Sequence, residues 1–224
     1  MSLKPHRALL VIDAQNEYVT GSLPIEHPDI RLSLRHIAKA MDTAGSVEIP
    51  VVVVQNTAPA GAPIFVKGTP GWQLHESVAR RARDHYVEKT FPSAFHGTDL
   101  AGWIAQRGID TLAVAGYMMH NCVASTVMHA LHAGLAVEVL SDATGAVPYA
   151  NRAGRASAEE IHRTFSVVFQ SRFAAVLGTD QWIAAVRDGK PLHRDNIFGS
   201  NQQARMASGV VQGRGRDATK IRNG

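Results

Sequence analysis

The chain has 224 residues, of which 45% are hydrophobic and 19% charged, with a formal net charge of +4. This composition excludes a disordered chain, and the single cysteine, Cys122, excludes an intramolecular disulfide framework. No run of apolar residues approaches the ~18 needed to span a bilayer, and Met1-Ser2-Leu3-Lys4-Pro5 lacks a signal peptide's apolar core, so a cytoplasmic protein with no membrane partner is expected.

Ala8-Leu9-Leu10-Val11-Ile12 is a short, wholly apolar run, the pattern of a strand covered on both faces. Apolar residues at Ile30, Leu34, Ile37, Ala38 and Met41 predict a helix up to Ala44, ended by Gly45. Ile49 to Val54 is the second strand. The Pro/Gly-rich text from Asn56 to Gly71 is a long loop, and such loops in compact domains usually serve function. His85 to Glu88 is a weaker third strand, and Thr98 caps a helix running through Leu100, Trp103 and Ile104 to Gly108. Thr111 to Ala115 and Ala136 to Leu140 are strands four and five, with a helix from Val123 to Gly134 between them. A helix from Ser157 to Phe169, a sixth strand from Phe173 to Leu177 and a helix from Thr179 to Arg187 follow. Six strands alternating with helices predict one doubly wound α/β domain with a mostly parallel sheet over residues 1–198. The excess positive charge falls in a Gly-rich tail, residues 199–224, that carries no aromatic residue. Nucleic acid is therefore not an expected partner.

Active sites of open α/β sheets gather outside the carboxyl ends of strands near the switch in strand order. That rule selects Asp13 after strand one, Lys89 after strand three, and the loop Gly116 to Asn121 leading to Cys122 after strand four. A cysteine where a helix begins is expected to have its thiolate stabilised by the helix dipole, with Lys89 adding to the effect. Asp13 could take the thiol proton, and backbone N–H groups of Met118 and Cys122 could form an oxyanion hole. Each residue has a plainer reading as well: a buried core thiol, a capping aspartate and a solvated lysine. Their coincidence on one sheet edge favours chemistry. Gln15, Tyr18, Trp72, Phe91 and Phe95 are candidates to line a small substrate pocket, or else to pack beneath the loops.

From Arg7 to Trp182 the sequence also resembles the isochorismatase-like cysteine hydrolases, which include nicotinamidase, N-carbamoylsarcosine amidase and ureidoacrylate amidohydrolase. The resemblance is carried by Leu10-Val11-Ile12-Asp13-Ala14-Gln15-Asn16-Glu17-Tyr18, by Val87-Glu88-Lys89-Thr90-Phe91-Pro92-Ser93-Ala94-Phe95, and by Ala115-Gly116-Tyr117-Met118-Met119-His120-Asn121-Cys122-Val123, with Ser141-Asp142-Ala143 after strand five. It implies a six-stranded parallel sheet, an Asp13–Lys89–Cys122 triad, a cis peptide between Tyr117 and Met118, and a homodimer or homotetramer. Relatives frequently have threonine where Met119 stands. The implied function is cofactor-free hydrolysis of a non-peptide C–N bond in a small amide, ureide or carbamoyl compound, through a thioester. Vinyl-ether hydrolysis of isochorismate and a noncatalytic thiol redox sensor are the alternatives. Metal-binding nicotinamidases carry an aspartate and histidines after strand two. Gln55-Asn56-Thr57-Ala58-Pro59-Ala60-Gly61 has no histidine or carboxylate, so no metal is expected and His75 is taken as a polar residue starting a helix.

Overall fold

A computed structural model describes residues 4–208. Six parallel strands form the sheet: β1 (Arg7–Ile12), β2 (Val51–Asn56), β3 (His85–Lys89), β4 (Thr111–Tyr117), β5 (Ala136–Gly145) and, after the β6–β7 hairpin (Tyr149–Asn151, Gly154–Ala156), β8 (Ala175–Leu177). Their spatial order is β3-β2-β1-β4-β5-β8, so the order reverses between β1 and β4. Ile12, the last residue of β1, lies opposite Gly116 of β4, and Asn56 of β2 lies opposite Lys89 of β3.

Alternate residues of the strands feed two apolar layers. Ala8, Leu10 and Ile12 face α3 (Leu100–Gln106) and α4 (Ala124–His132), whereas Leu9 and Val11 face α1 (Ile30–Ser46) and α6 (Thr179–Arg187). Burial on both faces explains why the central strands read as unbroken apolar runs. One charge pair interrupts the pattern. The Arg7 guanidinium donates to the Glu138 carboxylate at 2.8–3.1 Å, and the Trp182 indole N–H donates to the same carboxylate at 3.0 Å. This network ties the start of β1 to β5 and α6.

Several boundaries differ from expectation for local reasons. β5 runs five residues further, to Gly145, after a register shift against β4 at Val114/Gly116. Phe173 lies in a π-helical turn rather than a strand, because the Ala174 N–H donates back five residues to the Phe169 carbonyl. The helix expected to start at Thr98 begins one residue later than a Thr98 cap implies, although the Thr98 hydroxyl still accepts from Leu100 N–H at 3.4 Å. Helix α5 (Ala158–Val168) is fixed by a reciprocal capping box between Ser157 and Glu160. The boundary expected between residues 198 and 199 falls inside α7 (Ile197–Ala207), whose Asn196 cap accepts from Gly199 N–H at 2.8 Å. The remainder of the expected tail lies outside the described residues. Among the described residues, no helix is long and apolar enough to cross a membrane.

Gly116 sets how closely β4 can approach β1. Its φ is +107°, and a Cβ there would lie 2.0 Å from the Ile12 carbonyl oxygen. A side chain at this position meets both a disfavoured backbone conformation and immovable backbone. Gly116→Ala is expected to cost about 3 kcal/mol or more, read as a lowered thermal midpoint. An unchanged midpoint would mean that the two strands can part without loss.

Candidate active site

Three strand ends deliver three side chains to one buried point. Asp13 follows β1 directly, and its backbone turns through a left-handed conformation (φ 49°) that aspartate tolerates better than most residues. Its N–H still donates to the Val54 carbonyl of β2 at 2.9 Å, so the turn stays anchored to the sheet. Lys89 is the last residue of β3. Cys122 lies in a π-helical turn (Met119–Val123) between β4 and α4, after a cis peptide bond joining Tyr117 to Met118. The Cys122 carbonyl accepts from the Thr126 hydroxyl at 2.7 Å, and that hydroxyl accepts from Ala94 N–H at 3.0 Å. Thr126 thus clamps the cysteine turn to the segment that follows Lys89.

At the centre is the Lys89 ammonium. Nζ is 2.8 Å from Asp13 Oδ2, 3.2 Å from Cys122 Sγ and 3.3 Å from Asn56 Oδ1. The Lys89 and Asp13 side chains are both 0% exposed. Lys89 meets Asp13 as a charge pair. Burial raises the Asp13 pKa above the ordinary carboxylate range, against the pull of Lys89. Burial lowers the Lys89 pKa, but the Asp13 and Cys122 charges outweigh it and the ammonium is retained.

The thiol departs from the expectation of a ready-made thiolate. Burial, reinforced by the Asp13 charge and opposed by Lys89, pushes Cys122 up to about 12. The resting sulfur therefore keeps its proton, and the helix end does not overcome the burial. The cluster holds one positive charge and one negative charge, with Asp13 and Cys122 as alternative seats for the anion.

The expected pocket residues are placed unequally. Tyr18 is buried against Phe65 and Tyr117, with ring centroids at 5.2 and 5.6 Å. Burial raises its hydroxyl pKa well above 10, and nearby Cys122 and Asp13 add to the effect. Gln15 is committed to the wall itself. Its amide nitrogen donates to the Asn56 and Trp72 carbonyls at 3.0 and 2.7 Å, and its oxygen accepts from Asn56 N–H at 3.0 Å. Trp72 is half-buried, its indole N–H donating to the Thr57 hydroxyl at 2.9 Å. Phe95 is buried and stacks on His129 of α4 at 4.8 Å, while Phe91 is 54% exposed, edge-on to His96. Gln15 is thus fixed by backbone bonds and Phe95 by its stack on His129. Met119 is fully buried with its sulfur 3.8 Å from the Ser166 hydroxyl, so that position faces the core. His75 caps α2 (Glu76–Ala79), its Nδ1 accepting from Ser77 N–H at 3.2 Å.

The sequence alone reads His120 as an ordinary polar residue near the site and does not single out Asn56 or Tyr149. Asn56 ends β2 on the same sheet edge, and the rule that selected the other strand ends would have selected it too. Tyr149 belongs to a short exposed hairpin with no strand-like pattern. Among the described residues, no three His, Cys, Asp or Glu side chains cluster so as to hold a metal ion. The amides of residues 55–56 do not suit a transition metal either.

The fold is an open α/β sheet with a buried carboxylate, ammonium and thiol at its switch point. Residues 7–181 match the family described as Isochorismatase domain, and the chain belongs to that family. It is 30% identical over 178 residues to the isochorismatase family protein YddQ of Bacillus subtilis, covering 79% of this chain and 98% of that one. A crystal structure described as an isochorismatase from Burkholderia xenovorans shares 66% identity with a TM-score of 0.91, covering 92% of this chain and 99% of that one. The N-carbamoylsarcosine amidase of Thermoplasma acidophilum shares 25% identity with a TM-score of 0.65, covering 78% and 96%. The protein is an isochorismatase-family hydrolase.

Replacing Lys89 isolates its charge. Lys89→Met leaves a buried carboxylate without its counter-charge, which is expected to destabilise the protein by about 3–5 kcal/mol at neutral pH. A carboxyl whose folded pKa is raised favours folding while protonated, and that contribution is lost as pH rises through the folded pKa. The gap between wild type and Lys89→Met should therefore narrow as pH falls toward about 4. Melting curves that stay equally separated across this range would contradict the charge pairing.

Proposed function

We propose that the protein is a cysteine-dependent amidohydrolase acting on a non-peptide C–N bond of a small amide, ureide or carbamoyl compound. The observation that carries this reading is the single buried ammonium touching both a carboxylate and a thiol. In the ground state the anion sits on Asp13. As Sγ attacks the carbonyl carbon, the thiol proton passes to Asp13 and the developing negative charge stays beside Lys89. Charge moves across the cluster without altering its sum, so no bare charge is created in a buried site.

The tetrahedral oxyanion is received by the backbone N–H groups of Met118 and Cys122. On collapse, the C–N bond breaks and the Asp13 proton goes to the departing nitrogen, leaving a Cys122 thioester. Water then gives a proton to Asp13 and its oxygen to the acyl carbon, and the thiolate leaves, regaining the proton. The amine leaves first and the acid after hydrolysis, and no cofactor is consumed. Tyr18, Trp72 and Phe91 are the residues proposed to face the substrate. The amidase named among the similar structures supports C–N rather than C–O chemistry. A redox sensor needs a reactive thiolate, whereas burial holds this thiol protonated.

Cys122→Ala is expected to abolish ammonia release from small amides while the melting curve stays cooperative. Asp13→Asn should lower kcat by orders of magnitude, because a nucleophile and its base act as a unit. The acid limb of kcat/KM should lie above the ordinary carboxylate range, following the raised Asp13 pKa. Alkylation separates base from bystander. If Asp13 takes the proton, Asp13→Asn reacts with iodoacetamide at least about tenfold more slowly at neutral pH. If Asp13 only repels the thiolate, removing its charge makes Cys122 react faster, and the proposed role is wrong.

A further inference from the structure

Two side chains beside the nucleophile are left unused by this mechanism. Tyr149 opens the β6–β7 hairpin and is 43% exposed. Its ring stands over His120, two residues before Cys122, at 4.9 Å and an interplanar angle of 80°. Phe165 of α5 lies 6.2 Å from the same imidazole. Both His120 ring nitrogens are buried and neither has a hydrogen-bond partner. Buried polar atoms are rarely left so, and those that are usually await a partner.

We propose that Tyr149 and His120 form the specificity wall of the substrate site, selecting an acyl group that bears a second uncharged donor–acceptor function, such as a carboxamide or ureide. The inference rests on the amidohydrolase reading and deepens it. A neutral imidazole offers one donor and one acceptor, so it can serve either the C=O or the N–H of a primary amide. Burial, with a smaller contribution from His162, pushes His120 down to about 4, so the ring is neutral at physiological pH. Tyr149 lies near enough to Cys122 that, besides burial, a charge on the sulfur raises its hydroxyl pKa. Burial likewise raises the Tyr18 pKa, so both phenols are neutral. The charges of Lys89 and Asp13 are committed to each other. A carboxylate on the acyl group would thus lose its water against neutral groups, a large penalty without compensation.

The test compares succinamide with its half-acid, succinamate, which differ only in that function. Ammonia release and protection of Cys122 from iodoacetamide are measured for both, in wild type and in His120→Phe, Tyr149→Phe and His120→Lys. Wild type should prefer the diamide by at least about tenfold in kcat/KM and in protection. His120→Phe and Tyr149→Phe should erode this preference mainly through KM, and His120→Lys should turn it toward the half-acid. Melting curves identify any variant that fails to fold, and Tyr149→Phe, at a half-exposed ring, keeps the test available. Wild type favouring the half-acid, protection by neither compound, or an unmoved preference in all folded variants would overturn the wall. Protection in the expected order without ammonia release would instead overturn the amidohydrolase reading and leave the wall standing.

Discussion

A lysine ammonium buried without water must be matched by negative charge, and that requirement organises this molecule. Lys89 is fully buried, and its Nζ touches one carboxylate and one thiol. Either partner could carry the compensating charge, but not both without leaving an excess anion in a low-dielectric site. Burial raises the pKa values of both Asp13 and Cys122, Lys89 pulls both down, and the Asp13 charge adds to the rise at the thiol. Under the proposed reaction, the catalytic event is the transfer of the anion from one seat to the other while the cation stays still.

The sheet exists, for this purpose, to hold three chain segments in register. Parallel pairing of β1 with β4 brings Asp13 beside the loop that carries Cys122, and pairing of β2 with β3 sets Asn56 beside Lys89. Gly116 permits the close approach of the first pair, and the left-handed turn at Asp13 redirects its side chain within one residue of the strand end. Loop walls are then tied back with side chains rather than left to solvent. Gln15 stitches Asn56 to Trp72, and Thr126 stitches Cys122 to Ala94. Such bracing suits a site whose groups must stay aligned within a fraction of an ångström.

The central elements were legible in the sequence because burial on both faces writes an unmistakable apolar pattern. Asp13, Lys89 and Cys122 could be singled out since strand ends in such sheets converge on one edge, and a charged residue there stands against an apolar background. What the sequence did not disclose depends on tertiary context. Gln15 and Phe95 are held by partners 41 and 34 positions away, Asn56 and His129, which no local pattern announces. The protonated thiol was missed because burial and the Asp13 charge, not local helix geometry, dominate it. The β6–β7 hairpin has exposed residues on both short strands and so no periodicity to read. Tyr149 therefore escaped notice, and so did the significance of His120 beneath it.

Acylation of Cys122 during turnover is examined directly by acid quenching within the first turnovers and mass spectrometry of the Cys122 peptide. The expected result is a mass increase equal to the acyl portion of the amide, located on Cys122, labile to hydroxylamine, and absent from Cys122→Ala. Sustained amide hydrolysis with no adduct on Cys122, or undiminished hydrolysis by Cys122→Ala, would contradict it.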